Sequence, residues 1–258
     1  MARVIAIANQ KGGVGKTTTS INLSASLAIN NQAVLLIDMD PQSNATSGVG
    51  INQKALSCSL YDCVMRGKPL SEAVSQTDVA RLWIIPATAD LVGAEVELVN
   101  IEERESALKK SLQEIIDRYD YIIIDCPPAL GFLTINALAA AHSVLIPVQC
   151  EYYAMEGLGR LMANVKRIQD GLNPSLVLEG ILLTMFDSRN SLARQVSEEI
   201  RNHFKEKVYK TMIPRNVTLA EAPSYGKPAA FYNAVSAGAQ AYLELAKEVL
   251  AHGEEGTR

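Results

Sequence analysis

A glycine-rich turn between a strand and a helix, near the N-terminus, is the feature that most limits how this chain can fold. Residues 3–8 form a short, mostly apolar run, and residues 12–16 read Gly-Gly-Val-Gly-Lys directly before a helical stretch. Glycines let a backbone turn tightly enough for its N–H groups to point inward, and the helix that follows adds the positive end of its dipole. The segment therefore predicts a phosphate-binding loop.

The residue types in this loop suit nucleotide chemistry. Lys16 supplies positive charge to the β- and γ-phosphates, and Thr17 supplies a hydroxyl for Mg²⁺. The usual pattern Gly-x-x-x-x-Gly-Lys-Ser/Thr is incomplete, because Gln10 stands at the first glycine position, and a second lysine, Lys11, follows it. The backbone groups expected to contact the nucleotide belong to Gly12, Gly13, Val14 and Gly15.

Apolar runs of strand length alternate with helical stretches along the rest of the chain. The predicted strands are residues 3–8, 33–38, 82–86, 121–125, 143–148, 178–185 and 207–213. The predicted helices are residues 17–30, 104–118, 133–141, 155–170, 191–204 and 237–252. Continuous Val, Ile and Leu runs suit strands buried on both faces. The pattern predicts an α/β fold, a mostly parallel, doubly wound sheet with helices on both faces and ligands at the carboxyl ends of its strands.

Carboxylates follow two of the predicted strands. Asp125 ends the run Tyr-Ile-Ile-Ile and is placed to hold Mg²⁺ beside the phosphate loop. Asp38 and Asp40 end another run, two residues apart, before Pro41. Asp40 is then placed to orient or polarise an attacking water. Its other interpretation, a turn aspartate before a proline, stays open because spacing does not show where the side chain points.

Composition favours one intracellular domain. A single α/β domain over residues 1–258 is expected, because no linker or repeat interrupts the chain. The four cysteines have no zinc-site spacing and no signal peptide is recognised, which favours reduced thiols and a cytoplasmic location. The longest apolar stretches are of strand length, so no membrane-spanning segment is expected.

The motifs together resemble a known family. Residues 11–18, Lys-Gly-Gly-Val-Gly-Lys-Thr-Thr, residues 38–46, beginning Asp-Met-Asp-Pro-Gln-Ser-Asn, and Asp-Cys-Pro-Pro at 125–128 resemble the ParA/MinD family of deviant Walker A ATPases, a P-loop NTPase group. Later segments resemble its chromosomal Soj/ParA branch; they begin at residues 147, 184, 213 and 221. The resemblance covers essentially the whole chain.

This resemblance implies an ATP-driven switch. In the family, two subunits enclose two ATP molecules, and the lysine matching Lys11 reaches the partner's phosphates, where it would also stabilise charge in the transition state. The matching positions assign Thr18 to the α-phosphate region and Asp40 to the water. They assign Lys16 to the phosphates and Thr17 and Asp125 to Mg²⁺, and Pro214 and Asn216 match a segment that lines the adenine.

The Soj branch also binds DNA without sequence preference as an ATP dimer, and a ParB/Spo0J-like protein triggers hydrolysis and release, so a nucleoid-associated homodimer is implied. The net charge of −4 and the pI of about 5.5 oppose DNA binding. Residues 160–227, however, carry 11 Lys and Arg against 7 Asp and Glu. The candidate DNA contacts are Arg189, Arg194, Arg201, Lys205 and Arg215.

Two observations weaken the DNA prediction. Thr218, Val235 and Ala237 stand where the branch usually has basic residues, so binding is expected to be weaker and less salt-dependent than in typical relatives. Glutamates also interrupt the basic run, so that an ordinary solvated helix face remains an alternative; they are Glu198, Glu199 and Glu206.

Three other functions share this loop. A MinD-like membrane switch would need a basic amphipathic C-terminal helix, and the last residues carry too little basic charge and apolar area. An iron–sulfur reductase would need cluster cysteines, whereas Cys126 and Cys150 are better read as buried thiols. A metabolic P-loop enzyme without DNA binding stays open, and turnover with a small acceptor would reveal it.

Overall fold

Eight strands form a single sheet in the computed structural model, which describes residues 2–98 and 103–255. The strands are β1 (Arg3–Ile7), β2 (Val34–Asp38), β3 (Ser75–Gln76), β4 (Leu82–Ile85), β5 (Tyr121–Asp125), β6 (Ser143–Gln149), β7 (Val177–Phe186) and β8 (Val208–Pro214). Their order across the sheet is β3-β4-β2-β5-β1-β6-β7-β8. All pairs are parallel except β3 with β4. The predicted mostly parallel sheet is confirmed.

The described helices connect these strands. They are α1 (Lys16–Ile29), α2 (Asn44–Gly48), α3 (Leu60–Arg66), α4 (Leu91–Glu97), α5 (Ala107–Leu112), α6 (Phe132–Ala140), α7 (Ala154–Gly171), α8 (Ser191–Phe204), α9 (Val217–Glu221), α10 (Ala229–Tyr232) and α11 (Ala237–Glu255).

Helices cover both faces of the sheet, as the continuous apolar strands predict. Along β1, Val4 and Ala6 pack into one buried cluster, and Ile5 and Ile7 pack into another. This alternation follows from the two-residue period of a strand. The first cluster includes residues of α6, α7 and α8, and the second includes residues of α1 and α11. The core therefore consists of two apolar layers separated by the sheet.

The predicted helix over residues 104–118 is not continuous. The segment consists of a 3₁₀ turn at Arg104–Ser106, then α5, then a second 3₁₀ turn at Ile116–Arg118. Ile115 and Ile116 are both buried although they are adjacent in sequence. Adjacent side chains on a regular helix point about 100° apart, and the non-helical turn at residues 113–115 interrupts the helix just where this buried pair begins.

Other elements lay outside the sequence prediction. These are β3 and the short helices α2, α3, α4, α9 and α10. A single domain over residues 1–258 stays a prediction, and strands from residue 3 to residue 214 belong to the one sheet.

Candidate nucleotide-binding site

The order of the strands brings three loops together at the carboxyl edge of the sheet. Ile7, the last residue of β1, pairs with Asp125 at the end of β5, and Asp125 also pairs with Asp38 at the end of β2. The glycine-rich loop follows β1 directly. Ligands of parallel sheets bind at this edge, and the predicted phosphate loop and the predicted carboxylates meet there.

The glycine-rich loop adopts a conformation that requires glycine at two positions. Gly13 and Gly15 have φ angles of 72° and 87°, in the left-handed region that disfavours side chains. Gly12 has neither a positive φ nor a neighbour that a side chain would meet. The hydroxyl of Thr184, near the end of β7, donates to the carbonyl of Val14 at 2.8 Å. This contact fixes the middle of the loop against the sheet.

Asp125 is fully buried at the end of β5. The Ser20 hydroxyl of α1 donates to its Oδ1 at 2.7 Å, whereas Oδ2 accepts no hydrogen bond from any described residue. Burial raises the pKa of this carboxyl and the nearby Asp38 adds to the shift, while the Ser20 and Thr17 hydroxyls oppose it. A buried carboxylate oxygen without a partner is costly, so this position suits a cation.

Asp38 and Asp40 perform different tasks. Asp38 is fully buried and accepts hydrogen bonds from the Thr46 amide at 2.8 Å and the Thr46 hydroxyl at 2.7 Å. Burial raises the Asp38 pKa. Asp38 thereby ties α2 to the end of β2. Asp40 accepts from the Gln42 amide at 2.9 Å, which makes a local turn, and it also lines the cavity beside the loop.

The two lysines of the loop have different surroundings. Lys16 is 7 % exposed. Burial lowers its pKa, and the carboxylates of Asp125 and Asp40 oppose that shift. Its ammonium donates to the Lys11 carbonyl at 3.3 Å. The Lys11 side chain is 53 % exposed and forms an ion pair with Glu151, at the start of the turn before α7.

A cavity of about 570 Å³ opens beside the loop. The predicted site residues that line it are Gly12, Gly13, Gly15, Lys16, Thr17, Thr18, Asp40, Pro214 and Asn216. Val14 and Asp125 are buried behind it, and Lys11 does not belong to its described lining. The cavity is large enough for a nucleotide. The Oδ1 atom of Asn216 is buried near Gly238 and accepts no hydrogen bond from a described residue.

Three of the five candidate DNA residues lie close together after β7. Arg194 donates to the Ser188 carbonyl at 2.7 Å, and Arg189 and Arg215 both act on Asp187. Arg189 lies on the loop after β7 and forms a two-point ion pair with Asp187, whose pKa these hydrogen bonds lower to about 2. Arg194 and Lys205 are separated by eleven residues of α8 and its C-terminal end, or about 16 Å along a helix. Arg201 lies on the same helix. Arg215 lines the nucleotide cavity.

Several residues of the site had no predicted role. Ser20 and Thr184 contact predicted site residues, as described above. Tyr242 of α11 lines the cavity and its hydroxyl lies 3.0 Å from that of Thr19. Met185 also lines it, with a φ angle of 48°. The sequence signals were only partial: Ser20 lies one helical turn after Lys16 and Thr184 lies near a strand end, but neither position identifies the partner that the side chain contacts.

Comparisons with known proteins agree on one family. A family model described as "AAA domain" matches residues 2–178. The chain is 55 % identical over 253 residues to the sporulation initiation inhibitor protein Soj of Bacillus subtilis, covering 98 % of this chain and 100 % of that protein. It is 54 % identical over 250 residues to the chromosome partitioning protein ParA of Myxococcus xanthus, covering 97 % and 88 %.

The chain belongs to the ParA/Soj family. It is a partitioning ATPase of the ParA/Soj type, which confirms the predicted family and the predicted hydrolysis of ATP.

A solved structure shares the fold of this ParA/Soj-type chain. It is a cobyrinic acid a,c-diamide synthase from Mycobacterium smegmatis, crystallised with ADP and magnesium. The two chains are 38 % identical with a TM-score of 0.87, and the match covers 99 % of this chain and 97 % of the other. The nucleotide and magnesium in that related protein agree with the prediction of a P-loop fold that uses both.

The described residues contain neither a membrane-spanning helix nor a separate metal site. No helix in residues 2–98 and 103–255 is both long and apolar enough to cross a bilayer. In the same ranges, no three His, Cys, Asp or Glu side chains are grouped as a metal site of their own.

Proposed function

We propose that this ATPase is a dimerising switch. With ATP and Mg²⁺ it forms a homodimer that binds duplex DNA without sequence preference, and it hydrolyses ATP slowly until a ParB-like protein stimulates it. The family membership supports the ATPase activity, and the chain's own residues support the remaining steps.

The different surroundings of the two lysines carry the proposal. Lys16 is buried between two carboxylates at the cavity, which suits a ligand of phosphates bound in the same subunit. Lys11 is exposed, and its ammonium is turned toward Glu151 instead of the cavity. An exposed ion pair contributes little stability and separates easily. Lys11 is therefore free to exchange Glu151 for the more highly charged phosphates of a nucleotide in a second subunit.

Thr17 and Asp125 are the residues that would hold Mg²⁺. Asp125 has a buried oxygen without a protein partner, and Thr17 lies beside it at the start of α1. Mg²⁺ prefers oxygen ligands and stays partly hydrated, so one hydroxyl and one carboxylate fit this ion. When bound, Mg²⁺ would neutralise phosphate charge, and it would also stabilise the charged form of Asp125.

Asp40 would orient the water that attacks the γ-phosphate. Its carboxylate lines the cavity near the phosphate loop and is held by the turn bond to Gln42. Lys16 would stabilise the charge that develops as the phosphoryl group transfers. Pro214 and Asn216, which line the same cavity, would contact the adenine.

The basic residues near β7, α8 and β8 are the proposed DNA contacts. Each side chain occurs twice in a dimer, so weak phosphate contacts add across two subunits and binding depends on ATP. The ion pair of Arg189 with Asp187 and the glutamates on α8 reduce the positive field. Binding is therefore expected to be weak and to disappear at moderate salt.

The test is ATP turnover measured for the protein alone, with duplex DNA, and with DNA plus a ParB-like protein. The switch predicts slow turnover in the first two conditions and a clear stimulation in the third. Turnover that DNA and partner leave unchanged would contradict it.

A second candidate function is a metabolic ligase or synthase. The observation that favours this function is the 38 % identity to the cobyrinic acid a,c-diamide synthase. Such an enzyme would turn over ATP only with a small acceptor molecule. Stimulation by a small carboxylic acid, with no response to DNA and partner, would favour this function over the switch.

A further inference from the structure

Two cysteines lie against each other at the N-terminus of α3, outside the nucleotide site. The sulfur atoms of Cys58 and Cys63 are 3.9 Å apart. Both side chains are buried, with 5 % and 2 % of their surface exposed. The other two cysteines, Cys126 and Cys150, follow β5 and β6 and are buried separately. The close pair has no part in the nucleotide chemistry described above.

The start of α3 explains why these two sulfurs meet. Ser59 is the residue that caps the helix, and its amide and hydroxyl both donate to Asp62 Oδ2 at 3.0 Å. Relative to this cap, Cys58 is the residue before it and Cys63 is the fourth residue of the helix. Apolar side chains at these two positions commonly pack together and fix the direction of the entering chain. Cysteine acts there as a small apolar residue.

We propose that Cys58 and Cys63 form a reversible intrachain disulfide when the protein meets a small oxidant. The apolar contact at the start of α3 thereby becomes a covalent one. A disulfide bond is about 2.05 Å long, so the sulfurs must approach by about 1.9 Å from their 3.9 Å separation. Cys58 precedes the helix and lies outside regular secondary structure, so its backbone is free to make part of this movement.

The oxidation balances with hydrogen peroxide as the oxidant. The thiolate of one cysteine attacks a peroxide oxygen, and the hydroxide released takes up a proton and leaves as water. The second sulfur then attacks the resulting sulfenic acid, the S–S bond forms, and a second water leaves. Two thiols have lost two electrons and two protons, and the peroxide has become two waters.

The surroundings of the pair predict a slow reaction. Burial raises the pKa of Cys63 to about 12, and the adjacent Cys58 adds to the shift. Because the thiolate is the reactive form, oxidation is expected to be slow at neutral pH and faster as the pH rises. A thiol donor such as dithiothreitol is expected to reverse it.

The test uses the purified full-length chain treated with hydrogen peroxide or with diamide. The protein is then unfolded, alkylated with iodoacetamide and mapped by mass spectrometry. We expect loss of the mass of two hydrogens, alkylation at Cys126 and Cys150 only, and a cross-linked peptide that joins Cys58 to Cys63. Dithiothreitol should restore alkylation at all four cysteines.

Variants and a local measurement complete the test. Cys58→Ser and Cys63→Ser should each abolish the loss of mass, while Cys150→Ser should retain it. In the oxidised parent protein, hydrogen exchange of the Cys63 amide, which donates to the Ser59 carbonyl at 3.3 Å, should slow. Four alkylated cysteines after a treatment that oxidises the urea-unfolded chain would overturn the proposal, and so would a cross-link between any other pair.

Discussion

Asp40 combines a structural contact with a place in the wall of the nucleotide cavity. Its Oδ1 accepts from the Gln42 amide at 2.9 Å, and the side chain is 7 % exposed. Both interpretations that the sequence left open, a turn aspartate and a residue facing the reaction, are compatible with this position. The two roles differ in whether they need the negative charge of the carboxylate. The hydrogen bond of the turn does not need it, because the side-chain oxygen of an asparagine would accept the same bond.

Replacement of Asp40 by Asn and by Ala therefore gives two informative variants. Both should bind ATP and slow hydrolysis by about 100-fold or more, since each loses a group that positions or polarises the attacking water. Asp40→Ala should also lose about 0.5–1.5 kcal/mol of unfolding free energy with its turn bond, and Asp40→Asn less. Single-turnover hydrolysis and urea unfolding measure the two effects. If Asp40→Asn hydrolyses ATP at the rate of the parent protein, Asp40 has only its structural role in the turn.

Among the secondary-structure elements, β7 contains an irregularity that organises the amino-terminal end of the sheet. Val144 pairs with Leu178 and Leu145 with Gly180, so Glu179 is an extra residue, as in a β-bulge. Its buried carboxylate accepts from Arg3 at 2.6 Å and from Ser143 at 2.6 Å. Arg3 also donates to the Val249 carbonyl of α11 at 2.9 Å. The bulge thus links three strands and the C-terminal helix.

Gly180, the residue after the bulge, leaves space for a buried aromatic ring on β8. A Cβ atom at this position would lie 2.6 Å from the ring of Tyr209 on β8, which is 2 % exposed. Gly180→Ala should destabilise the fold by about 1–3 kcal/mol, because the buried ring must move. Gly159→Ala in α7, where no atom lies within 4 Å, is the matched control and should stabilise by about 0.5–1 kcal/mol. If urea unfolding shows that Gly180→Ala is more stable than Gly159→Ala, this account of the packing is wrong.

The long elements of the fold were predictable because each has a clear apolar pattern. The central strands are buried on both faces and read as continuous apolar runs, and the predicted strand over residues 121–125 coincides with β5. The meeting of Asp38 and Asp125 also follows, since parallel strands end at one edge. The contacts of Ser20 with Asp125 and of Thr184 with Val14 depend on which strands become neighbours, and single-chain periodicity does not contain that information.

For the whole molecule, the proposed DNA binding depends on positive charges at the two ends of α8. Arg189 and Arg194 lie near the carboxyl edge of the sheet, whereas Lys205 lies at the far end of α8. The sequence groups these residues only by a local excess of Lys and Arg, because it has no measure of their distances in space. In a dimer each of these contacts would occur twice, so that weak phosphate contacts add.

Arg189→Glu should weaken the binding of two unrelated duplexes to the ATP-bound protein by the same factor. The slope of log affinity against log salt should fall by about 2 for a dimer that loses one phosphate contact per subunit. ATP hydrolysis without DNA should persist. Arg118→Glu, an exposed substitution in the turn before β5, is the control and should leave the slope unchanged. Sequence-selective binding, or equal binding with ATP and ADP, would contradict the proposed mechanism.

The central claim is that Lys11 acts across a dimer while Lys16 acts within its own subunit. Sedimentation with a slowly hydrolysed ATP analogue, together with calorimetry of nucleotide binding, tests it most directly. Lys11→Ala should bind the analogue normally and remain monomeric, Lys16→Ala should lose binding, and Glu151→Gln, which removes only the ion-pair partner, should still dimerise. A Lys11→Ala protein that dimerises like its parent, or that loses nucleotide binding as a monomer, would contradict the claim.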